Sequence, residues 1–546
     1  MYWFRVLLSL FLISLLLSSC NKNQNVAPIV TTRFTLTDTK IDGKKSGTFS
    51  NVDITPSITL SFSEPLDESS VSSTSMSFSD GTPIKATFSN HDSTVIVQPA
   101  TPLKYLTSYT LAVNSTLKSK AGHFLSIGGV AISFKTQMDL TIKFPIISDS
   151  SLLDIVQQQT LKYFYDFAEP VSGMARERNT SGNLVTTGGS GFGLMALIVG
   201  INRGFISRAN GIASFNKIVS YLEKADRFHG AWPHWIDGTT GKTIPFSNND
   251  NGADLVETSF MLQGLLTVRQ YLTSSDTVGN NLINRINNLW QTVEFDWFRQ
   301  NNQQVLYWHW SPDKGWIMNM PISGYDEALI VYILAAGSPT HSIPASVYQQ
   351  GWAQNGAIKN GKTFYGHVLP LGQDYGGPLF FAHYSFLGFD PHTQDAYADY
   401  WIQNTNQALI NHDYCSANPK NFTAYADSCW GLTASDNPWG YNAQSPTNDN
   451  GTITPTAAIA SMPYTPAQSM KAIRFFYYIL GDKLWGAYGF YDAFNLNQNW
   501  TATSTLAIDQ GPIVVMLENY RTGLLWKLFM SAPEVQAAKT KLGFTK

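Results

Sequence analysis

Charged side chains are scarce in this sequence. Asp, Glu, Lys and Arg make up 14% of the 546 residues, below the roughly one quarter that is usual for globular proteins. The 36 basic and 39 acidic residues give a formal net charge of −3, so the chain has no electrostatic footprint for nucleic acid. Aromatic residues reach 13%. A surface built from Asn, Gln, Ser, Thr and Tyr suits neutral, hydroxyl-rich ligands better than phosphates.

Cysteine is also rare, with three in the chain. Cys-x-x-Cys, H-E-x-x-H and clustered His spacings are missing from the sequence, so we expect no metal site. In an oxidising compartment, Cys415 and Cys429 are predicted to form a disulfide. It would close a loop of about 15 residues and stabilise the fold by roughly 3 kcal/mol. Two free buried thiols are the alternative.

The third cysteine, Cys20, ends an apolar N-terminal run that contains one basic residue, Arg5. The run is too short to indicate a membrane span. It closes with L-S-S-C, which resembles a bacterial lipobox and implies a signal peptide over 1–20 and acylation of Cys20. A plain secretory signal is the alternative. We expect a polar tether over 21–29 and an outer-membrane-anchored lipoprotein, periplasmic or at the cell surface, touching the membrane only through its anchor.

Residues 30–137 alternate between apolar and polar side chains with a period of two. The runs S-I-T-L-S-F-S, S-Y-T-L-A-V and V-A-I-S-F-K-T are separated by turn signals such as S-D-G-T-P. About seven short strands at this spacing predict a small all-β sandwich. Segments 59–67 and 106–113 resemble bacterial immunoglobulin-like modules. We interpret this domain as a spacer, with glycan binding as the alternative.

From residue 146 to 546 the apolar residues follow helical spacing. About ten to twelve helices are expected, joined by long loops rich in Trp, Tyr, Gly and Pro. Several helices, such as G-L-M-A-L-I-V-G and A-L-I-V-Y-I-L-A-A-G, are apolar nearly all round. That pattern suits inner helices covered by an outer layer. The fold class is therefore predicted as mainly α, an (α/α)6 toroid preceded by the Ig-like sandwich.

Acids crowd into two short segments of the helical region despite the low overall charge. D-N-G-A-D-L-V-E holds Asp250, Asp254 and Glu257, and G-Y-D-E-A-L holds Asp326 and Glu327. Helix capping explains about one acid per helix start, but not this number. Asp254 and Glu257 are three apart and would share a helix face. If both segments begin inner helices, their acids converge, and mutual repulsion raises at least one pKa, as glycoside hydrolysis requires.

Aromatic loops are predicted to surround these acids, because aromatic faces cover the C–H faces of sugars while polar groups bind hydroxyls. Alternatives stay open for these residues: a single Trp is more often part of the core, and Arg176 and Lys314 could each form a structural ion pair. Asp509 could instead stabilise the start of a helix. The predicted substrate-binding residues are Arg176, Trp232, His234, Trp235, Trp308, Trp310, Lys314, Trp316, His383, Trp439, Tyr441 and Asp509.

Several motifs make residues 150–546 similar to a known family. They are M-A-R-E-R, G-G-S-G-F-G-L-M-A-L, H-G-A-W-P-H-W, N-G-A-D-L-V-E-T-S-F, G-Y-D-E-A-L and A-I-D-Q-G-P-I-V-V-M-L-E-N-Y-R-T-G-L-L-W. The region resembles the bacterial glucoamylase-like domain of glycoside hydrolase family 144, the β-1,2-glucanases. The resemblance implies an (α/α)6 barrel, no cofactor, and hydrolysis of β-1,2-glucan with inversion favoured. The acids that it points to are Asp250, Asp254, Glu257 and Glu327.

The resulting hypothesis is a monomeric glucanase that acts on an oligo- or polysaccharide and releases sophorose or short oligomers. Glu257 or Glu327 donates the proton, Asp254 positions or activates water, and Asp250 modulates the pKa values. Three alternatives stay open: a non-catalytic glycan-capture lipoprotein, a hydrolase of another β-glucan, and a polysaccharide lyase. The few basic residues in the loops speak against the acidic polymer that a lyase needs.

Overall fold

The computed structural model describes residues 33–45, 49–126, 128–272 and 277–545. The chain divides into two compact units, Met1–Met138 and Asp139–Lys546; the predicted domain limits were 30–137 and 146–546. The predicted signal peptide, the tether and the acylated Cys20 lie outside the described residues. Within those residues, no helix is both long enough and apolar enough to span a membrane.

The first unit is a β-sandwich of two sheets. One sheet has the antiparallel order β2-β1-β4-β7-β6, and the other has the order β3-β9-β8-β5 with β3 parallel to β9. The strands are β1 Leu36–Ile41, β2 Lys44–Lys45, β3 Phe49–Val52, β4 Ile58–Phe62, β5 Met76–Phe78, β6 Ile84–Ser89, β7 Thr94–Pro99, β8 Ser108–Val113 and β9 Val130–Thr136.

The period of two found in the sequence is the burial pattern of these strands. Along β4, Ile58, Leu60 and Phe62 are buried while the residues between them are partly exposed. Strand β8 likewise buries Tyr109 and Leu111. These side chains share one hydrophobic core between the sheets. The prediction of a small all-β sandwich is confirmed.

The second unit is mainly helical. Its helices are α1 Asp149–Tyr165, α2 Thr187–Asn202, α3 Arg208–Leu222, α4 Leu255–Tyr271, α5 Thr277–Gln291, α6 Leu329–Gly337, α7 Ala345–Val347, α8 Tyr400–Ala417, α9 Pro455–Ala460, α10 Pro466–Arg474, α11 Gly481–Leu484, α12 Ala507–Thr522, α13 Leu524–Met530 and α14 Pro533–Leu542.

Short strands join the loops of this unit to one another. They are β10 Leu184–Thr186, β11 Trp235–Asp237, β12 Thr243–Ile244, β13 Ala253–Asp254, β14 Leu306–Tyr307, β15 His309–Trp310, β16 Pro321–Ile322, β17 Thr363–Phe364, β18 His367–Val368, β19 Ala434–Asn437, β20 Gly440–Ala443, β21 Trp485–Gly486, β22 Gly489–Phe490, β23 Phe494–Asn495 and β24 Trp500–Thr501.

Three long helices form the buried centre of this unit. Residues 187–200 of α2 and 255–269 of α4 are all buried, as is most of α12. Helix α2 packs against both α4 and α12, and α4 also contacts α6. Helices α1, α3 and α5 cover α12, α2 and α4 from outside. Helices that are apolar all round therefore lie inside a second helical layer, as their composition predicted.

The predicted disulfide between Cys415 and Cys429 is wrong, because both cysteines are free. Cys415 lies on a buried turn of α8, and Cys429 lies in a loop where it pairs with Ala426 in an isolated bridge. Burial raises the pKa of both thiols, so both stay protonated at neutral pH.

Candidate active site

A cavity of about 480 Å³ lies in the helical unit. Two of the predicted catalytic acids, Glu257 and Glu327, both line it. Trp235, Trp308 and Tyr441 add aromatic surface, as predicted for a sugar site. The two acid segments of the sequence therefore meet at one cavity.

Asp254 caps the N-terminus of α4. It is the N-cap residue, and its Oδ1 accepts a hydrogen bond of 2.9 Å from the Glu257 backbone N–H. Strand β13 pairs with β15 and places His309 opposite Asp254. Asp254 is fully buried, and its Oδ2 lies 3.1 Å from His234 Nδ1 and 3.6 Å from His309 Nε2. Its oxygens are thus engaged by the protein, and it does not line the cavity.

His234 keeps Asp254 ionised. Burial alone would raise the pKa of Asp254, but the hydrogen bond from His234, joined by the charge of His309 when that ring is protonated, holds it below the usual value. Burial lowers the pKa of His309 itself, so His234 is the main partner at neutral pH. Burial would lower the pKa of His234, yet Glu257 and Asp254 raise it to about 9. His234 is therefore an imidazolium at neutral pH, with Nε2 4.0 Å from Glu257 Oε1.

Glu257 is held at the start of α2. Its Oε2 accepts hydrogen bonds from the Gly188 backbone N–H at 2.6 Å and from Thr186 Oγ1 at 3.4 Å. A Cβ at residue 188 would lie 2.7 Å from the same oxygen, which explains the glycine. Burial raises the pKa of Glu257, the charge of His234 opposes the rise, and Asp254 adds to it.

Glu327 reaches the cavity from the turn before α6. Asp326 supplies the cap of that turn, since its Oδ1 accepts a 2.8 Å hydrogen bond from the Ala328 N–H. Burial, followed by the charges of Asp326 and Glu257, raises the pKa of Glu327 well above its usual value. Glu327 therefore faces the cavity and holds its proton more tightly than an ordinary glutamic acid.

Asp250 lies behind the other acids. It is 5% exposed, its Oδ2 is 3.5 Å from His309 Nε2, and it does not line the cavity. Burial and the charge of Asp254 raise the pKa of Asp250 to about 7. The protonation of Asp250 therefore changes near neutral pH, and its predicted role as a modulator of the neighbouring pKa values stays a prediction.

One group of side chains has the types that a metal ion uses. Ligand atoms of His234, Asp250 and Asp254 lie within 4.8 Å of one another. His234 Nδ1 pairs with Asp254 Oδ2, and the pKa of His234 is raised to about 9, so a metal ion would have to displace a proton from this ring. Its imidazolium already supplies the positive charge between the carboxylates.

Two of the predicted substrate-binding residues belong to the core. Trp232 is fully buried and donates Nε1–H to the Leu222 carbonyl. His383 is 2% exposed, lies 3.0 Å from Ser461 Oγ, and has a pKa lowered by burial to about 3. The predicted sugar contacts of both residues are wrong, since neither reaches solvent or the cavity.

Three further predicted contacts are engaged elsewhere. The Arg176 guanidinium donates to the Phe167, Ala168 and Gly182 carbonyls. Lys314 bonds to the Asn248 carbonyl. Asp509 is 3% exposed and does not line the cavity. Backbone carbonyls satisfy these two cations, and burial raises the Asp509 pKa well above its usual value, so none of the three reaches the cavity.

Trp310 and Trp316 pack against Trp297, with ring centroids at 5.4 and 4.7 Å, instead of lining the cavity. Their predicted contact with substrate stays a prediction, because both rings are partly exposed. Trp439 lies outside it, on an exposed turn. Of the predicted substrate-binding set, His234, Trp235, Trp308 and Tyr441 line the cavity.

Three further residues line the cavity that were not predicted to bind substrate, namely Glu177, Phe246 and Tyr384. Glu177 belongs to the M-A-R-E-R motif, next to the predicted Arg176. Phe246 packs 4.5 Å from the His234 ring and 4.6 Å from the Trp235 ring. The sequence signals for these residues are the M-A-R-E-R motif for Glu177 and the aromatic loops for Phe246 and Tyr384.

A helical unit whose cavity combines buried carboxyls of raised pKa with aromatic walls defines a protein of the carbohydrate-active class. Residues 319–533 match the family model described as "Putative glucoamylase", and residues 30–136 match "Bacterial Ig-like domain". The chain belongs to the glucoamylase-like family of the β-1,2-glucanases, glycoside hydrolase family 144, with a bacterial Ig-like domain before it.

Individual relatives are similar over most of the helical unit. The chain is 48% identical over 419 residues to an exo β-1,2-glucooligosaccharide sophorohydrolase (non-reducing end) of Parabacteroides distasonis. That match covers 72% of this chain but only 58% of the relative. The endo-β-1,2-glucanase of Chitinophaga pinensis, solved with sophorotriose and glucose, is 57% identical with a TM-score of 0.72, covering 73% of this chain and 99% of that one.

A third relative extends over the sandwich as well. The β-1,2-glucanase structure from Parabacteroides distasonis is 38% identical with a TM-score of 0.71. It covers 93% of this chain and 72% of that chain. The likeness therefore includes both units of the chain.

Proposed function

We propose that this chain is a glycoside hydrolase that cleaves β-1,2-glucan by acid/base catalysis with inversion, releasing sophorose or short oligosaccharides. The observation that carries the proposal is that Glu257 and Glu327 line one aromatic cavity with raised pKa values. Relatives named for action on β-1,2-linked glucose indicate the linkage.

Glu327 is the proposed proton donor. A general acid must be protonated at the working pH, and the burial of Glu327 and the charge of Asp326 favour that state. The proton goes to the glycosidic oxygen as its bond to the anomeric carbon breaks, so the leaving sugar departs as a neutral alcohol.

Glu257 is the proposed base, and it replaces Asp254 in the role of activating water. Glu257 lines the cavity, whereas Asp254 is buried beneath it and bonded to His234. The imidazolium of His234 favours the ionised form of Glu257. Asp254 becomes a positioning residue that holds His234 and the first turn of α4. Inversion requires the two carboxyls to stand roughly 6.5–9.5 Å apart, with water between Glu257 and the anomeric carbon.

His234→Gln is expected to move the acidic limb of the pH–rate profile to higher pH. Burial raises the pKa of Glu257, and the charge of His234 opposes that rise. Without the charge, the pKa climbs further, so the ionised base is lost at a higher pH as the pH falls. The measurement is kcat/KM on β-1,2-glucan across pH. His392→Gln, an exposed histidine beside Asp390, is the control. An unmoved acidic limb argues against Glu257 as the base.

The proposed fold of the helical unit is an (α/α)6 toroid. The support is that α12, α2, α4 and α6 contact one another in succession while α1, α3 and α5 cover them. Short loop strands such as β13 and β15 then gather at the end of the inner helices that carries the acids. An experimental structure that shows six helix pairs closing on themselves would test this arrangement.

The function is tested by incubating the purified chain with a panel of β-glucans and separating the products by chromatography. Cleavage of β-1,2-glucan to sophorose or short oligomers is expected, with the α-anomer appearing first in proton NMR. Cleavage of another β-glucan alone would move the assignment to that linkage. Binding without products from any glucan would support the glycan-capture protein.

We further propose that the chain is a lipoprotein anchored in the outer membrane through Cys20, facing the periplasm or the cell surface, and that the helical unit works as a monomer. The L-S-S-C ending of the N-terminal apolar run supports the anchor. Cys20→Ser is expected to move the protein from the membrane fraction to the soluble fraction and to abolish labelling with a fatty-acid probe. Unchanged fractionation would contradict the anchor.

A further inference from the structure

A two-stranded hairpin forms one wall of the cavity and continues beyond it. Strands β19 and β20 pair with Ala434 opposite Ala443 and Asp436 opposite Tyr441. Ala434, Tyr441 and Ala443 line the cavity. These three residues share one face of the hairpin, because residues two apart along a strand point to the same side.

The base of the hairpin is fixed to the body of the helical unit. The Asp436 backbone N–H donates to Asp492 Oδ2 at 2.7 Å. The Asp436 carboxylate accepts from Arg178 Nη1 at 3.1 Å and from Ser504 Oγ at 2.5 Å. A hairpin held in this way presents its turn in a defined direction.

The turn carries the most exposed tryptophan among the described residues, Trp439, at 65%. Its backbone N–H donates to Asn437 Oδ1 at 2.9 Å, which fixes the turn but leaves the indole free of that bond. Trp439 directly precedes β20 and stands two positions before Tyr441, itself 52% exposed. Tyr441 lines the cavity, so the Trp439 ring lies on a turn within two residues of the cavity wall.

We propose that Trp439 and Tyr441 form an outer sugar-binding subsite, on which glucosyl units of a β-1,2-glucan stack after they leave the cavity. The inference rests on the proposed function, since it assigns the occupant as the chain being cut. Tyr441 lines the cavity and is also 52% exposed, and Trp439 stands two positions before it on the turn. Stacking of a sugar on the exposed Trp439 ring removes apolar surface from water, which favours binding.

The subsite predicts a dependence on chain length. When the units of sophorotriose occupy the cavity, none is left for the turn, whereas a long glucan supplies units for both. We expect Trp439→Ala to lower kcat/KM on long β-1,2-glucan about tenfold more than kcat/KM on sophorotriose, a difference of about 1.4 kcal/mol. Most of the loss should appear in KM, because the contact lies far from the bond being cut. Trp439→Phe should restore part of the difference.

Tyr520→Ala is the matched control, because Tyr520 is an aromatic side chain on α12 with 44% exposure. It should leave the ratio of the two kcat/KM values as in the wild-type protein. Equal ratios for Trp439→Ala and wild type would overturn the subsite while leaving the glucanase assignment intact. Failure of the wild-type protein to cleave β-1,2-glucan would instead overturn the proposed function.

Discussion

Glu327→Gln is expected to lower kcat on β-1,2-glucan by about a thousandfold, within the range of roughly 10²–10⁴ that a general acid contributes. The amide has the size of the carboxyl but carries no acidic proton, so the leaving sugar must depart as an alkoxide. Binding should persist, because the cavity walls are unchanged. The basic limb of the pH–rate profile, which reports deprotonation of the acid, should disappear with the residue.

The measurement is steady-state hydrolysis of β-1,2-glucan, repeated with an aryl sophoroside. An aryl alcohol is a good leaving group that needs little protonation, so the loss in Glu327→Gln should be much smaller on that substrate. Glu223→Gln, which weakens an exposed ion pair with Arg285, is the control and should keep wild-type rates. Equal losses on both substrates would show that Glu327 is not the proton donor.

The same two substrates separate the candidates for the base. Glu257→Gln should lose activity equally on the glucan and on the aryl sophoroside, because both reactions need an activated water. Asp509→Asn is the comparison, since the Asp509 carboxyl is buried, does not line the cavity, and has a pKa raised well above the usual value by burial and by Asp492. It should keep far more activity than Glu257→Gln, and activity kept in Glu257→Gln would show that Glu257 is not the base.

The spacing of the acids in the sequence predicted that the two acidic segments lie close together. It did not predict which carboxyl faces the cavity. A three-residue separation and a helix start place Asp254 and Glu257 on one turn. Whether Asp254 faces the cavity depends on His309, which a two-residue strand far along the chain brings beside it. Local sequence does not encode such a long-range bridge, so the burial of Asp254 away from the cavity could not be predicted from the sequence.

The tryptophans also show that burial cannot be predicted from local sequence. Trp232 and Trp439 both lie in loops with neighbouring Pro and Gly residues, and both were predicted to bind sugar. One is fully buried and the other is 65% exposed. Arg227 covers the Trp232 ring, with Cζ 4.4 Å from its centroid, whereas Trp439 stands on the turn of a hairpin. Burial depends on which elements pack over a loop, and composition does not report it.

The periodicity of apolar residues in the sequence predicted the secondary structure and the buried helices most reliably. A period of two predicted strands such as β4 and β8, because one face of each must enter the sandwich core. Apolar residues on every side predicted that α2 and α4 lie inside the helical unit. Sequence does not fix how the helices close around one another, since that depends on which pairs approach most closely.

Helices α2 and α4 approach each other closely at Gly191 and Gly264. A Cβ at residue 191 would lie 2.6 Å from the Met261 Cα, and a Cβ at residue 264 would lie 3.0 Å from the Gly191 Cα. These neighbours are backbone atoms of the partner helix, which cannot rotate away. The two helices must therefore separate to accept a single methyl group, and overpacking of this kind costs roughly 1–3 kcal/mol or more.

Gly191→Ala is therefore expected to lower the free energy of unfolding of the helical unit by about 3 kcal/mol, despite the better helix propensity of alanine. Activity should also fall, because α2 carries the Gly188 N–H that holds Glu257 at the start of α4. Urea unfolding followed by tryptophan fluorescence measures the first effect, and hydrolysis of β-1,2-glucan measures the second.

Gly200→Ala is the matched control on the same helix, since its Cβ would meet the Leu161 Cδ2 at 2.6 Å, the end of a side chain that can move. We expect a change in unfolding free energy of less than about 1 kcal/mol, because the gain in helix propensity offsets the small repacking. Similar losses in both variants would mean that contact between the α2 and α4 backbones does not control the stability of the helical unit.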